Sequence, residues 1–223
     1  MRLRIFNRCF FTALGITVMS SLNAQLVAWS FSAPDTKGDE TAVAATFKDA
    51  RIKAAVLTRG SGLLNTNKYT RSFMSKLSLA GTAGNNRDAA SVSKQFYECS
   101  VLPVKGTVVS LSALHVKLRP GAGGTFFYRW TYSLNGKEFK ELGSGDQLIK
   151  LDYKKPDGVL QPELDLSGIS ELQQVNGKKG VVFRLYVWGG SNPETATFSI
   201  GRSDAGNSRS YVLWIDGAVK TQD

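Results

Sequence analysis

The chain has 223 residues, enough for one β-sandwich or barrel core, and its six prolines and scattered glycines mark no long linker, which excludes a string of separate domains. Lys and Arg number 28 against 18 Asp and Glu, a formal charge of +10, so the chain is basic without any dense basic tract. One histidine and two cysteines exclude a zinc tetrad and a disulfide-rich scaffold.

Arg2, Arg4 and Arg8 precede an apolar run from Cys9 to Leu22, and small or polar residues follow to Ala24, the three-part layout of a secretory signal. The run is short for a spanning helix, which needs roughly 20 apolar residues. The expectation is therefore a cleaved signal peptide, residues 1–24, a secreted or periplasmic location, and a single domain over 25–223. Cys9 stands at the start of the apolar run and not behind a small-residue box at its end, so no lipid anchor is expected. Cleavage would leave Cys99 as the lone thiol, with no internal disulfide available, and stability must come from a core. No second apolar segment follows and the last residues are polar, so no transmembrane anchor is expected in the mature chain.

Short β-type runs then recur at 26–31, 95–104, 107–118, 125–134, 181–188, 195–200 and 210–215. Between them lie turn signals: the glycine-rich 121–124, Asn135-Gly136, Gly143-Ser144-Gly145, Pro156-Asp157-Gly158 and Asn176-Gly177. Val181, Phe183, Leu185 and Val187 form one apolar row, and Phe126, Tyr128, Trp130 and Tyr132 another. In 107–118 the apolar parity changes from Val109 and Leu111 to Leu114, Val116 and Leu118, which predicts a bulge at Ser112 and Ala113. Residues 47–59 fit a helix or a strand, with loop and strand favoured, and 81–87 read as a surface loop. The predicted fold is all-β: an antiparallel, jelly-roll-like sandwich.

No catalytic constellation emerges. A serine hydrolase needs a histidine base, and His115 sits inside a strand on the parity of Lys117 and Arg119, where a structural role is favoured; the G-x-S-x-G elbow is absent. Cofactors are not expected, with structural calcium at Asp157, Glu163 and Asp165 the exception weighed and ranked below solvated turn acids. The glycine runs 121–124 and 60–62 do not open helices, so they are not phosphate cradles. A glycosidase needs only two carboxylates flanking a bond, which sequence cannot nominate among 18 acids. Nucleic acid is disfavoured as a partner, and a polysaccharide, an anionic one on charge alone, or another cell-surface component is favoured. Cys99 reads as a buried small residue.

Arg184, Tyr186 and Trp188 share the strand face opposite the apolar row 181–187, the aromatic-plus-arginine mix of a shallow sugar-binding face. The competing reading is that both faces of this strand are covered and the aromatics fill the second one.

The segments Val27-Ala28-Trp29-Ser30-Phe31, Tyr128-Arg129-Trp130-Thr131-Tyr132-Ser133-Leu134-Asn135-Gly136 and Val182-Phe183-Arg184-Leu185-Tyr186-Val187-Trp188-Gly189-Gly190 together resemble an exported bacterial β-sandwich module found in PEP-CTERM-sorted and related secreted proteins. Ser30 and Asn135 replace the acids usual there, and the sorting tail is missing at Asp223. The resemblance implies a sandwich and export and carries no functional residues. The leading expectation is thus an exported, non-catalytic sandwich that binds a surface component, carbohydrate foremost. A secreted glycan-active hydrolase with a carboxylate pair and a structural envelope component remain the alternatives.

Overall fold

The computed structural model describes residues 24–33, 37–66, 70–82, 85–122, 124–177 and 180–222. Apart from Ala24, the expected signal peptide lies outside the described residues. In chain order the strands are β1 (Ala24–Trp29), β2 (Ala42–Ala44), β3 (Phe47–Lys48), β4 (Ile52–Ala54), β5 (Val56–Arg59), β6 (Leu63–Asn65), β7 (Phe73–Leu77), β8 (Phe96–Pro103), β9 (Thr107–Pro120), β10 (Phe126–Ser133), β11 (Lys140–Ile149), β12 (Val159–Leu160), β13 (Leu164–Asp165), β14 (Val175–Asn176), β15 (Val181–Gly189), β16 (Thr197–Ile200) and β17 (Leu213–Thr221). One short helix, α1 (Arg87–Val92), precedes β8.

All pairings are antiparallel. The larger sheet runs β3-β1-β17-β9-β16-β7-β6, with β12, β13 and β14 also on β9, and the smaller runs β11-β10-β15-β8-β5-β2, with β4 on β8. Successive long strands cross between the sheets: β8 is in the smaller, β9 in the larger, β10 in the smaller again, and β15 is followed by β16 in the larger. The predicted sandwich is the observed architecture.

Alternation of apolar residues explains the assembly. Val181, Phe183, Leu185 and Val187 are at most 2% exposed and meet the inward row of β10, Phe126, Tyr128, Trp130 and Tyr132, in one core with Trp29, Leu213 and Ile215. Each such side chain contributes roughly 1.5–3 kcal/mol by leaving water. The bulge falls where the parity change places it: Asp216 pairs Ala113 and Gly217 pairs Leu111, which leaves Ser112 unopposed and returns Leu114 and Val116 to the core. Two large buried side chains spend their polar atoms on backbone carbonyls, which lowers the cost of burying them: the Trp29 indole Nε1 donates to the Val43 carbonyl at 3.1 Å and the Tyr97 hydroxyl to the Phe198 carbonyl at 2.6 Å. Arg59 ties the sheets, its guanidinium donating to the carbonyls of Met74, Gly38 and Glu40. Cys99 is buried, free, and its thiol pKa is pushed up by desolvation.

Residues 47–59 form three short strands, the loop-and-strand alternative that the sequence favoured. Three details depart from the sequence reading. Gly143 and Gly145 do not separate strands; they lie within β11. The last strand starts at Leu213 and continues to Thr221, beyond the expected 210–215. Arg87, placed in a loop, begins α1, capped by Asn86, whose side-chain Oδ1 accepts from the Ala89 amide at 3.0 Å. Only Ala90 of this helix is buried, so it carries no apolar periodicity to betray it. The turn that follows it packs so closely on residues 60–62 that a Cβ on Gly60 would stand 2.1 Å from the Lys94 carbonyl oxygen.

Candidate functional site

Arg184, Tyr186 and Trp188 do share the outer face of β15, but that face is closed. Tyr186 and Trp188 are each 5% exposed and form a second small core with Phe96 and Ala90 of α1. Trp188 stacks on Phe127, centroids 5.9 Å apart and planes at 13°, and Tyr186 meets Phe96 edge-on at 5.4 Å. Arg184 lies between the rings of Phe96 and Phe139, at 4.2 and 3.9 Å, while its Nε donates to Glu98 at 2.7 Å. Tyr186 and Trp188 are buried and Arg184 is held between two rings, so of the two readings of this face the structure has the covered one and not the open platform, with α1 and the turn that carries Phe139 as the covers.

The three weighed calcium acids are not brought together. Asp157 lies 3.6 Å from Arg202, Asp165 accepts from the amide and hydroxyl of Ser167, and Glu163 approaches His115. Among the described residues no group of three or more His, Cys, Asp or Glu side chains is placed to hold a metal ion.

The open aromatic face belongs to the other sheet. Register places Phe47, Ala28, Trp214 and His115 in one row across β3, β1, β17 and β9, and Gln25, Asp216, Ala113 and Asp165 in the next. Because the neighbours of Trp214, Leu213 and Ile215, point into the core, alternation turns Trp214 outward, and it stays partly exposed. Its indole stacks on the His115 ring, centroids 4.5 Å apart and planes at 9°. His115 Nε2 lies 3.0 Å from Asp216 Oδ2 and 3.7 Å from Glu163 Oε2. A carboxylate only accepts, so Nε2 carries the proton and donates to Asp216.

Beside the stack lies a shallow depression of about 380 Å³ lined by His115, Asp216, Glu163, Asp165 and the small residues Ser112, Ala113 and Ser167. The bulge lies at its floor, where Ser112 stands unopposed beside Ala113 and both side chains are short. Three carboxylates and two hydroxyls thus lie beside an aromatic edge on this sheet face. Such a face can stack a ring against Trp214 and accept hydrogen bonds from hydroxyl or ammonium groups.

Sequence reasoning named His115, Glu163 and Asp165 separately and for other chemistry, and it missed Trp214 and Asp216. Tyr211 to Ile215 is apolar at every position, so periodicity gives no sign that Trp214 faces outward.

No family model, no curated protein and no solved structure matches this chain. No helix among the described residues is long and apolar enough to cross a membrane.

Proposed function

We propose that this chain is an exported, non-catalytic β-sandwich that binds a cell-surface or extracellular glycan on the outer face of its larger sheet. The Trp214–His115 stack, partly exposed and bordered by Asp216, Glu163 and Asp165, carries the reading. A sugar presents an apolar face of C–H groups and a rim of hydroxyl donors, and this surface offers an aromatic for the first and carboxylates for the second. Local charge is acidic although the chain is basic overall, so a neutral or amino-bearing sugar fits better than the anionic one suggested by net charge.

Export is supported by the layout of residues 1–24. The motifs that resemble the exported module fall on core strands β1, β10 and β15. A non-catalytic role is supported by the engagement of two of the three acids: Asp216 accepts from His115 and Asp165 from Ser167.

The test is a glycan array with polysaccharide pull-down, repeated on Trp214→Ala. Binding that falls at least tenfold in the variant is expected. Blank arrays with folded protein, or undiminished binding by the variant, overturn the proposal.

A further inference from the structure

Behind the open face, between the two sheets, runs a cleft of about 320 Å³. Tyr128 and Trp130 of β10 and Leu142 of β11 wall it on one side, Leu114 and Leu164 on the other. The packing between the sheets opens here for a local reason. Along β10 and β11, Trp130 pairs Leu142 and Tyr128 pairs Gln147, so the single Arg129 faces four residues, 143–146, which leave the ladder and form a lip. Gly143 and Gly145 supply the φ values of 78° and 144° that the lip requires, in the region that glycine tolerates.

The chemistry inside is restricted. Glu163 and Asp165 border the cleft, but Asp165 pairs with outward-facing Ala113 and Glu163 reaches His115, so their carboxylates belong to the opposite side of the strand. Ser144 and Gln147 lie on the exposed lip, and the polar pair deeper in is Tyr128 with Gln161. Tyr128 Oη donates to Gln161 Oε1 at 3.0 Å, and Gln161 is fixed by its side-chain amide on the Val159 carbonyl and its backbone amide on the Val116 carbonyl. Burial pushes the Tyr128 hydroxyl up to about 12, so it is neutral across the physiological range. The phenol oxygen and the amide oxygen each keep a lone pair for a further donor.

We propose that this cleft is a second ligand site, separate from the glycan face, for an uncharged molecule with an apolar two-ring body and one hydroxyl that donates to the Tyr128–Gln161 pair. Size sets the body: an apolar cavity of about 150 Å³ holds benzene, and this one is about twice that. Charge is excluded because an ion entering would shed its hydration with no counter-ion inside. The hydroxyl follows from these two acceptors, which meet inside the cleft and each keep a lone pair free.

Three probes of one shape test it: indane, 1-indanol and 1-indanecarboxylate, titrated into the ¹⁵N-labelled protein. The expected result is that the two neutral probes shift the amide signals of Gly143 and Gly145 and the Trp130 indole N–H. The alcohol should bind about 2- to 12-fold tighter than the hydrocarbon, and the carboxylate not measurably. Replacing both polar atoms, Tyr128→Phe with Gln161→Leu, should erase the alcohol's advantage and leave indane binding. Leu164→Trp, which fills the cleft from a half-buried position, should abolish both while glycan binding at Trp214 continues. No shift at these three signals in the unmodified protein, equal binding of the carboxylate, or binding that survives Leu164→Trp would each overturn the proposal. Because these readouts do not involve Trp214, a failure here leaves the glycan reading standing, and the reverse.

Discussion

Each of the two sheets turns a tryptophan to its outer face, and the two meet opposite fates. On the smaller sheet, Trp188, Tyr186 and Arg184 are roofed by α1 and by the turn that brings Phe139 over the strand. On the larger, Trp214 and His115 stack on each other and remain partly open, with carboxylates where the other face has rings. An aromatic on the outward parity of a strand therefore says nothing by itself about access. What decides it is whether a neighbouring segment supplies an apolar plug, and here a six-residue helix with one buried alanine is enough to do so.

The sharpest way to break that contrast is to truncate one tryptophan on each face. Trp188→Ala opens a cavity in a packed cluster and should cost about 3–5 kcal/mol, a fall in melting temperature on the order of 10 °C by calorimetry, and leave glycan affinity of the remaining folded protein intact. The next largest effect reports the core that both faces share. Burial raises the Tyr97 hydroxyl to about 12, and Tyr128 and Tyr132 are raised to about 12 as well. Native protein then holds these protons more tightly than unfolded chain, so their stabilisation is complete below pH 10 and declines as pH rises from 10 through about 12. Circular dichroism should show alkaline unfolding in that window, with a shallower slope in Tyr97→Phe. Removing the cap of the roofing helix, Asn86→Ala, should cost about 1 kcal/mol and raise hydrogen exchange at Ala89 and Ala90 while the open face is unaffected. Smallest in stability is Trp214→Ala, expected to cost about 1 kcal/mol or less, although it should abolish most glycan retention. A large loss of stability there would mean that this face too is part of a core.

The sandwich was legible because its long strands alternate cleanly, and even the bulge at Ser112 is written in the parity switch from Leu111 to Leu114. The covers and the site were not. Helix α1 has too few turns to show a period, and the four-residue lip at 143–146 looks like a turn because glycine marks both. His115, Asp216, Glu163 and Asp165 come from three strand segments that only pairing brings together, so no spacing in the chain connects them. Trp214 sits in a run that is apolar on both parities, and only the core assignment of Leu213 and Ile215 reveals which way it points.

Affinity electrophoresis on a polysaccharide retained by the unmodified protein, with Trp214→Ala and Trp188→Phe run beside it, tests the central claim most directly. The account predicts that Trp214→Ala migrates unretarded while Trp188→Phe, which keeps the covered cluster filled, is retarded like the parent. Retardation lost in Trp188→Phe and kept in Trp214→Ala would contradict it.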